Sequence, residues 1–265
     1  MKFTDSHCHL DFDEFKPDFQ QLLTNCAAQG IHRCVIPSID PNNWQAVLHL
    51  TQEKNISIKL FAALGIHPWF LNDLSEQVLE QLTTIVQQQK HNIVAIGEAG
   101  IDGKIAEQQN NLAKQQHFFE YQLHLAKQED LPIIVHHRRS HQHITPLLKQ
   151  YSLANTGIIH AFSGSYQQAK QYIDLGYKLG IGGTITYPRA QKTIKAIKRL
   201  PLTSLVLETD APAMPLNGFQ GEVNTPLQII KVFNTLVAIR TEATDKIAEQ
   251  IEININDVLK LKVKK

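Results

Sequence analysis

The chain has 265 residues, is 43% hydrophobic, and sets 26 Lys and Arg against 25 Asp and Glu, for a formal net charge of +1. An average apolar content with almost no net charge excludes a disordered chain, and 3 Cys with 13 Gly exclude a disulfide framework and a collagen-like repeat. The length fits one α/β barrel or two smaller domains, and 13 histidines raise the question of a metal site.

The N-terminus, Met1-Lys2-Phe3-Thr4-Asp5-Ser6-His7, has neither the apolar segment nor the small-residue cleavage site of a secretory signal. No apolar run approaches the roughly 20 residues of a membrane span, so a soluble protein without a membrane partner is expected. Cys8, Cys26 and Cys34 are odd in number and lack Cys-x-x-Cys spacing, which argues for a reducing cytoplasm.

Eight short apolar, β-branched runs follow one another: Lys2 to Asp5, Arg33 to Pro37, Lys59 to Leu64, Ile93 to Gly97, Ile133 to His136, Gly157 to His160, Lys178 to Ile181, and Leu205 to Glu208. Between them lie helical patterns at Phe15 to Gln29, Asn43 to Glu53, Ser75 to Lys90, Glu107 to Glu129, Gln142 to Lys149, Gln167 to Leu175, Ala190 to Leu200 and Leu227 to Ile239, and two further helical segments are expected in the C-terminal tail. Eight strand-helix repeats without a linker predict one (β/α)8 TIM-type barrel over residues 1–265. A doubly wound sheet is the rival, but no Gly-x-Gly-x-x-Gly or phosphate-loop motif supports it.

A ligand-type residue closes strand after strand, at the end where barrel enzymes build their sites. The first strand runs into Asp5-Ser6-His7-Cys8-His9, and the period of two in extended chain puts Asp5, His7 and His9 on one face. Glu98, His136, His160 and the Glu208-Thr209-Asp210 segment close the fourth, fifth, sixth and eighth. Imidazole suits a borderline cation such as Zn²⁺, while carboxylates suit Mg²⁺ or Mn²⁺ and can bridge two ions. This many ligands exceeds the need of a single ion. Two divalent cations sharing a carboxylate would activate water for hydrolysis. A lone histidine at a strand end is more often a hydrogen-bonded structural residue; the joint pattern points to metal. His32, His49, His91, His117 and His124 read as solvated or packing residues, and His137, His141 and His143 as either.

At these residues the sequence resembles the TatD-type metal-dependent deoxyribonuclease family, within the amidohydrolase-like barrels, and is similar to its YjjV-like subgroup. The ordered blocks are Thr4-Asp5-Ser6-His7-Cys8-His9-Leu10, Ala63-Leu64-Gly65-Ile66-His67-Pro68, Ala95-Ile96-Gly97-Glu98, Leu131-Pro132-Ile133-Ile134-Val135-His136, His160-Ala161-Phe162-Ser163-Gly164-Ser165, and Leu207-Glu208-Thr209-Asp210-Ala211-Pro212. The resemblance implies that His7, His9 and Asp210 hold one ion, His136 and His160 the other, and Glu98 bridges them. Asp210 would also accept the proton of the nucleophilic water. His67, Arg138 and Ser163 are assigned to substrate binding. The chain departs from the family at Asp102-Gly103, where an aromatic often follows Gly-Leu-Asp, at His137-Arg138-Arg139, and at Asn224-Thr225-Pro226; the first departure would remove a base-stacking surface.

Near-neutral charge permits a phosphate-bearing substrate without demanding a long duplex. Lys192, Lys195 and Arg199, spaced three and four residues apart, would line one helix face. The expected activity is two-metal hydrolysis of a phosphodiester in DNA or short nucleotide chains, with no obligate protein partner. The rival readings are hydrolysis of an amide, ester or lactone in a small molecule, and a non-catalytic metal-binding protein.

Overall fold

Runs such as Ile133-Ile134-Val135 form strands because both of their faces are covered, the condition under which parallel strands need no polar alternation. A computed structural model describes residues 1–53 and 55–261; the last four residues of the expected 1–265 barrel lie outside the described residues. The eight predicted strands are present as β1 (Phe3–Asp5), β2 (Ile31–Pro37), β3 (Lys59–Leu64), β4 (Ile93–Asp102), β5 (Ile133–Arg138), β6 (Gly157–Ile159), β7 (Lys178–Ile181) and β8 (Leu205–Leu207), all parallel and in sequence order. The curl nearly closes. Ser6 N–H donates to Leu207 O at 2.9 Å, Asp210 N–H to His7 O at 2.9 Å, and His9 N–H to Ala211 O at 2.7 Å.

The covering helices are α1 (Phe19–Ala28), α2 (Trp44–Gln52), α3 (Gln77–Gln89), α4 (Gly103–Gln109), α5 (Leu112–Glu129), α6 (His141–Tyr151), α7 (Tyr166–Asp174), α8 (Gln191–Arg199), α9 (Ile229–Ile239) and α10 (Thr244–Val258). Three differ from expectation. The first begins after Pro17 rather than at Phe15, consistent with the proline's lack of an N–H and its preference for a helix start. The helix expected over Glu107 to Glu129 is split by Asn110, whose left-handed φ of 50° ends α4. The two C-terminal segments are one helix, α10, within the described residues.

That last helix has a distinct place. Inward residues of six strands, Val35, Ala63, Ala95, Ile134, Ile158 and Val206, form a buried cluster with Ile255, Val258, Leu259 and Leu261 at the end of α10. The C-terminal helix therefore plugs the barrel from below. Arg33 ties it in place, donating from Nε to Thr4 at 2.8 Å, from one terminal nitrogen to Asn256 at 2.6 Å, and from the other to Glu252 at 2.6 Å. Two residues further along three of those strand segments, the period of two brings His136, His160 and Glu208 to the same inner face. The apolar plug is thus the floor of the polar layer above it.

Candidate metal centre

Glu98 reaches that layer through an irregularity. Register between β4 and β5 shifts between Ile96 and Ala99, and register between β3 and β4 shifts between Ala62 and Ala63. Strict alternation from Ala95 would send residue 98 outward; the shift turns it in. Gly100 accommodates this, with φ of 155° and a hypothetical Cβ only 2.1 Å from His136 O, so no side chain fits there.

Glu98 is buried, and its two oxygens face different groups. Oε2 is 3.0 Å from His7 Nε2 and 3.6 Å from His9 Nε2. Oε1 is 2.9 Å from His136 Nδ1, 3.3 Å from His67 Nε2 and 3.9 Å from His160 Nε2. Asp210 Oδ1 completes the cluster at 3.6 Å from both His7 and His9 and 3.7 Å from His160. Its backbone adopts a left-handed φ of 60°, a conformation that aspartate tolerates better than most residues.

All six predicted ligands, His7, His9, Glu98, His136, His160 and Asp210, therefore converge. Within the cluster the close sets overlap. His160 stacks on His7 with ring centroids 3.5 Å apart, whereas its centroid is 6.5 Å from that of His136, and the close sets are His7, His160 and Asp210; His7, His9 and Glu98; and His67, Glu98 and His136.

The donor chemistry fits divalent cations. Two ligands each about 2.1 Å from one ion stand roughly 3 to 3.5 Å apart, close to the separations above. His7 and His9 turn Nε2 atoms toward one another at 3.2 Å, an approach of two imidazole nitrogens that calls for a shared proton or a cation between them. The opposite nitrogen of His7, Nδ1, is buried without a hydrogen-bond partner among the described residues, whereas that of His9 is anchored. His9 Nδ1 donates to Pro37 O at 3.2 Å, which leaves its Nε2 lone pair for the cluster. His136 Nε2 faces Asp102 Oδ2 at 3.1 Å, leaving Nδ1, and His160 Nδ1 faces Glu208 Oε1 at 3.2 Å, leaving Nε2. Such carboxylate partners orient metal-binding imidazoles and raise their basicity.

His67 is different. Its Nδ1 accepts the Trp69 N–H at 3.1 Å, so the proton of the neutral ring resides on Nε2 and no lone pair faces Glu98. Burial, opposed by Glu98 and reinforced by His136, brings its pKa down to about 4. His67 is thus within reach of the cluster and, as a neutral ring, presents an N–H donor to Glu98 Oε1.

Burial opposes the charge on Glu98 and Asp210, but the surrounding imidazoles outweigh it. His67, His7 and His160 hold Glu98 well below the usual carboxylate range, and His160, with His9 and His7, lowers Asp210. Burial likewise opposes charge on His160, yet Glu208, Asp210 and Glu98 push its pKa up to about 10.

The sequence reading missed three supporting groups. Asp102, read as the loss of an aromatic, instead takes hydrogen bonds from Trp69 Nε1 at 2.7 Å and from the N–H groups of Lys104 and Ile105, capping α4 while facing His136. Glu208 was in view at the end of the eighth strand without a role. Asp5, expected on the face of His7 and His9, accepts instead from Thr209 Oγ1 at 2.5 Å, from Thr209 N–H at 3.0 Å and from His7 N–H at 3.1 Å, and so clasps the first and last strands. Two of the three expected substrate contacts, Arg138 and Ser163, stand further out than His67. Arg138 is 45% exposed with a guanidinium nitrogen 3.9 Å from Asp102, and Ser163 is exposed three residues past His160. His137, one residue after His136, packs against Phe162, Tyr172 and the half-buried His141.

The sequence profile described as "TatD related DNase" matches residues 4–260. This chain belongs to the TatD family of metal-dependent hydrolases. It is 44% identical over 250 residues to the Escherichia coli K12 "Uncharacterized metal-dependent hydrolase YjjV", covering 94% of this chain and 95% of that one. A Haemophilus influenzae "Uncharacterized metal-dependent hydrolase" is 39% identical, with 93% and 95% covered. The crystal structure of YjjV superposes with a TM-score of 0.92 at 42% identity over 98% of both chains. A TatD family hydrolase from Entamoeba histolytica gives 0.86 at 20% identity, over 97% and 98%, a likeness of fold. Among the described residues, no helix is long and apolar enough to cross a membrane.

Proposed function

We propose that this TatD-family hydrolase is a two-metal phosphodiesterase acting on DNA or short nucleotide chains. The observation that carries this reading is the Glu98 carboxylate, which presents Oε2 to His7 and His9 and Oε1 to His136. His7, His9 and Asp210 would hold one divalent cation and His136 and His160 the other, with Glu98 between; Zn²⁺, Mn²⁺ and Mg²⁺ each suit part of this nitrogen and oxygen set. Bound there, the cations supply Lewis acidity and lower the pKa of water.

The remaining work falls to the side chains. Asp210, kept ionised by His160, His9 and His7 against the effect of burial, accepts the proton of the attacking water. His67 Nε2–H donates to a phosphoryl oxygen, a role its tautomer suits. Arg138 adds a charge-assisted hydrogen bond to phosphate, and the Ser163 hydroxyl adds a neutral one. With a net charge of +1, affinity for phosphate rests on the site and on a few local bases, including Lys192 and Lys195, both exposed on α8. The family description as DNase-related supports a nucleic acid substrate. Cys8, Cys26 and Cys34 are free and buried, which supports a reducing compartment such as the cytoplasm.

A second reading, hydrolysis of a small amide, ester or lactone, draws on the size of the pocket. Its volume is about 140 Å³, below the roughly 300 Å³ at which pockets begin to enclose drug-sized ligands. The deciding assay offers metal-reconstituted protein single-stranded DNA, double-stranded DNA, RNA and a panel of amides, esters and lactones. Metal-dependent cleavage of DNA that Asp210→Asn lacks supports the nuclease; cleavage confined to the small-molecule panel overturns it.

A further inference from the structure

The same pocket is polar on its floor and aromatic at its rim. Besides His9, His67, Glu98, His136, His160 and Asp210 it is lined by Phe12, Trp69 and Phe70. Trp69 and Phe70 are 44% and 40% exposed, among the few large apolar side chains left open to solvent in the described residues. They follow directly on His67 in a short turn, Pro68–Phe70, and the His67 ring lies 5.4 Å from the Trp69 ring and 5.8 Å from that of Phe70, centroid to centroid. Phe12, also in the lining, stacks on His9 with ring centroids 5.0 Å apart.

The indole is held rather than loose. Its Nε1–H donates to Asp102 Oδ2 at 2.7 Å, the same oxygen that faces His136 Nε2. One carboxylate therefore sets both a metal-facing imidazole and the ring beside it. Position 103, next in the chain after Asp102, has no room for a side chain, since a Cβ on Gly103 would stand 2.4 Å from Arg139 O. The aromatic surface comes from the segment after β3. A pre-positioned ring loses little conformational freedom when a ligand stacks on it.

We propose that Trp69 and Phe70 form a stacking subsite for an unpaired nucleobase next to the phosphodiester being cleaved, an inference that rests on the phosphodiesterase reading. A base inside a duplex has both faces covered by its neighbours, so only a base at a frayed end or in a single strand can offer a face to the rim. Stacking on a protein aromatic tolerates all bases. The site thus selects single-stranded DNA by access and not by sequence.

Fluorescence tests the subsite directly. The chain has two tryptophans, and Trp44 is buried with Nε1–H bonded to Gly65 O, so ligand-dependent quenching reports Trp69. The metal-reconstituted Asp210→Asn protein is titrated with a short oligothymidylate and with an abasic strand of the same length and charge. The expected result is quenching by the oligothymidylate alone and a Kd about tenfold lower than for the abasic strand. Trp69→Phe, which keeps a ring but drops the bond to Asp102, still prefers the base-bearing strand; the Trp69→Leu, Phe70→Leu double variant binds the two alike. Equal Kd values for the two strands, or a preference that survives in the double variant, overturn the subsite. Turnover separates this inference from the reading beneath it. If the parent protein cleaves both strands at the same rate, the phosphodiesterase stands and the subsite falls. Cleavage of neither strand, with Trp69 still quenched by the base-bearing one alone, leaves the subsite standing and removes the phosphodiesterase.

Discussion

Glu208 Oε1 lies 3.2 Å from His160 Nδ1 and accepts the Ala161 N–H at 2.5 Å, so one buried carboxylate stands beside the imidazole and binds the backbone next to it. It fits because position 180 on β7 is glycine: a Cβ there would stand 2.0 Å from Glu208 Oε2. Glu208→Gln should therefore weaken metal binding about 10- to 100-fold, the usual cost of removing such an outer partner. Gly180→Ala should act in the same direction by displacing the carboxylate. Competition with a chromophoric chelator measures both, and parent-like affinity in the pair would show that Glu208 does not position His160.

Glu98→Ala should lower metal stoichiometry, because it removes the carboxylate whose two oxygens face different imidazoles, Oε2 toward His7 and Oε1 toward His136. Elemental analysis after reconstitution and desalting reads the outcome. Unchanged occupancy would refute bridging.

Asp210→Asn should retain most of the metal, since the amide oxygen can still ligate, yet lose about 10²- to 10⁴-fold in kcat as the proton acceptor disappears. Rates at matched metal content decide the matter. A variant hydrolysing at the parent rate would remove Asp210 from the role of base.

Divalent cations that bind only the folded chain must stabilise it by mass action. At a free concentration near a hundred times Kd the gain is about 2.7 kcal/mol, roughly 5 to 10 °C in Tm for a chain of this size. Calorimetry with and without a chelator measures it, and the shift should shrink in Glu98→Ala. An identical Tm under both conditions would contradict a cation site in the folded state.

Stability and chemistry should separate at the other end of the barrel. Ile255 is 1% exposed in the cluster that plugs the strand N-termini, so Ile255→Ala should cost about 2 to 5 kcal/mol. Urea unfolding reads that loss. kcat for the folded fraction should stay at the parent value, and a matching fall in kcat would mean that the plug transmits strain to the polar layer.

What the sequence determined by itself was what depends on short-range periodicity. Alternation of apolar runs with helical patterns yields eight strands in order, and the period of two unites His7 with His9, while His137 stays open until its place in the packing is known. Chain ends of strands are equally legible, which is why the sequence points to Glu98, His160 and Asp210 as candidates. Tertiary structure decided what depends on register and closure. Glu98 faces inward because of a register shift that no local pattern announces, and Asp5 turns from the expected metal face to clasp Thr209 across the closing seam. Asp102 and Glu208 acquire their roles from imidazoles 34 and 48 residues away in the chain. Asp102 also takes the indole N–H of Trp69, from another strand's loop, a contact that no local pattern around position 102 announces. Side-chain periodicity is written within a few residues, whereas the shear that brings separate strand ends to one level is a property of the whole closed sheet.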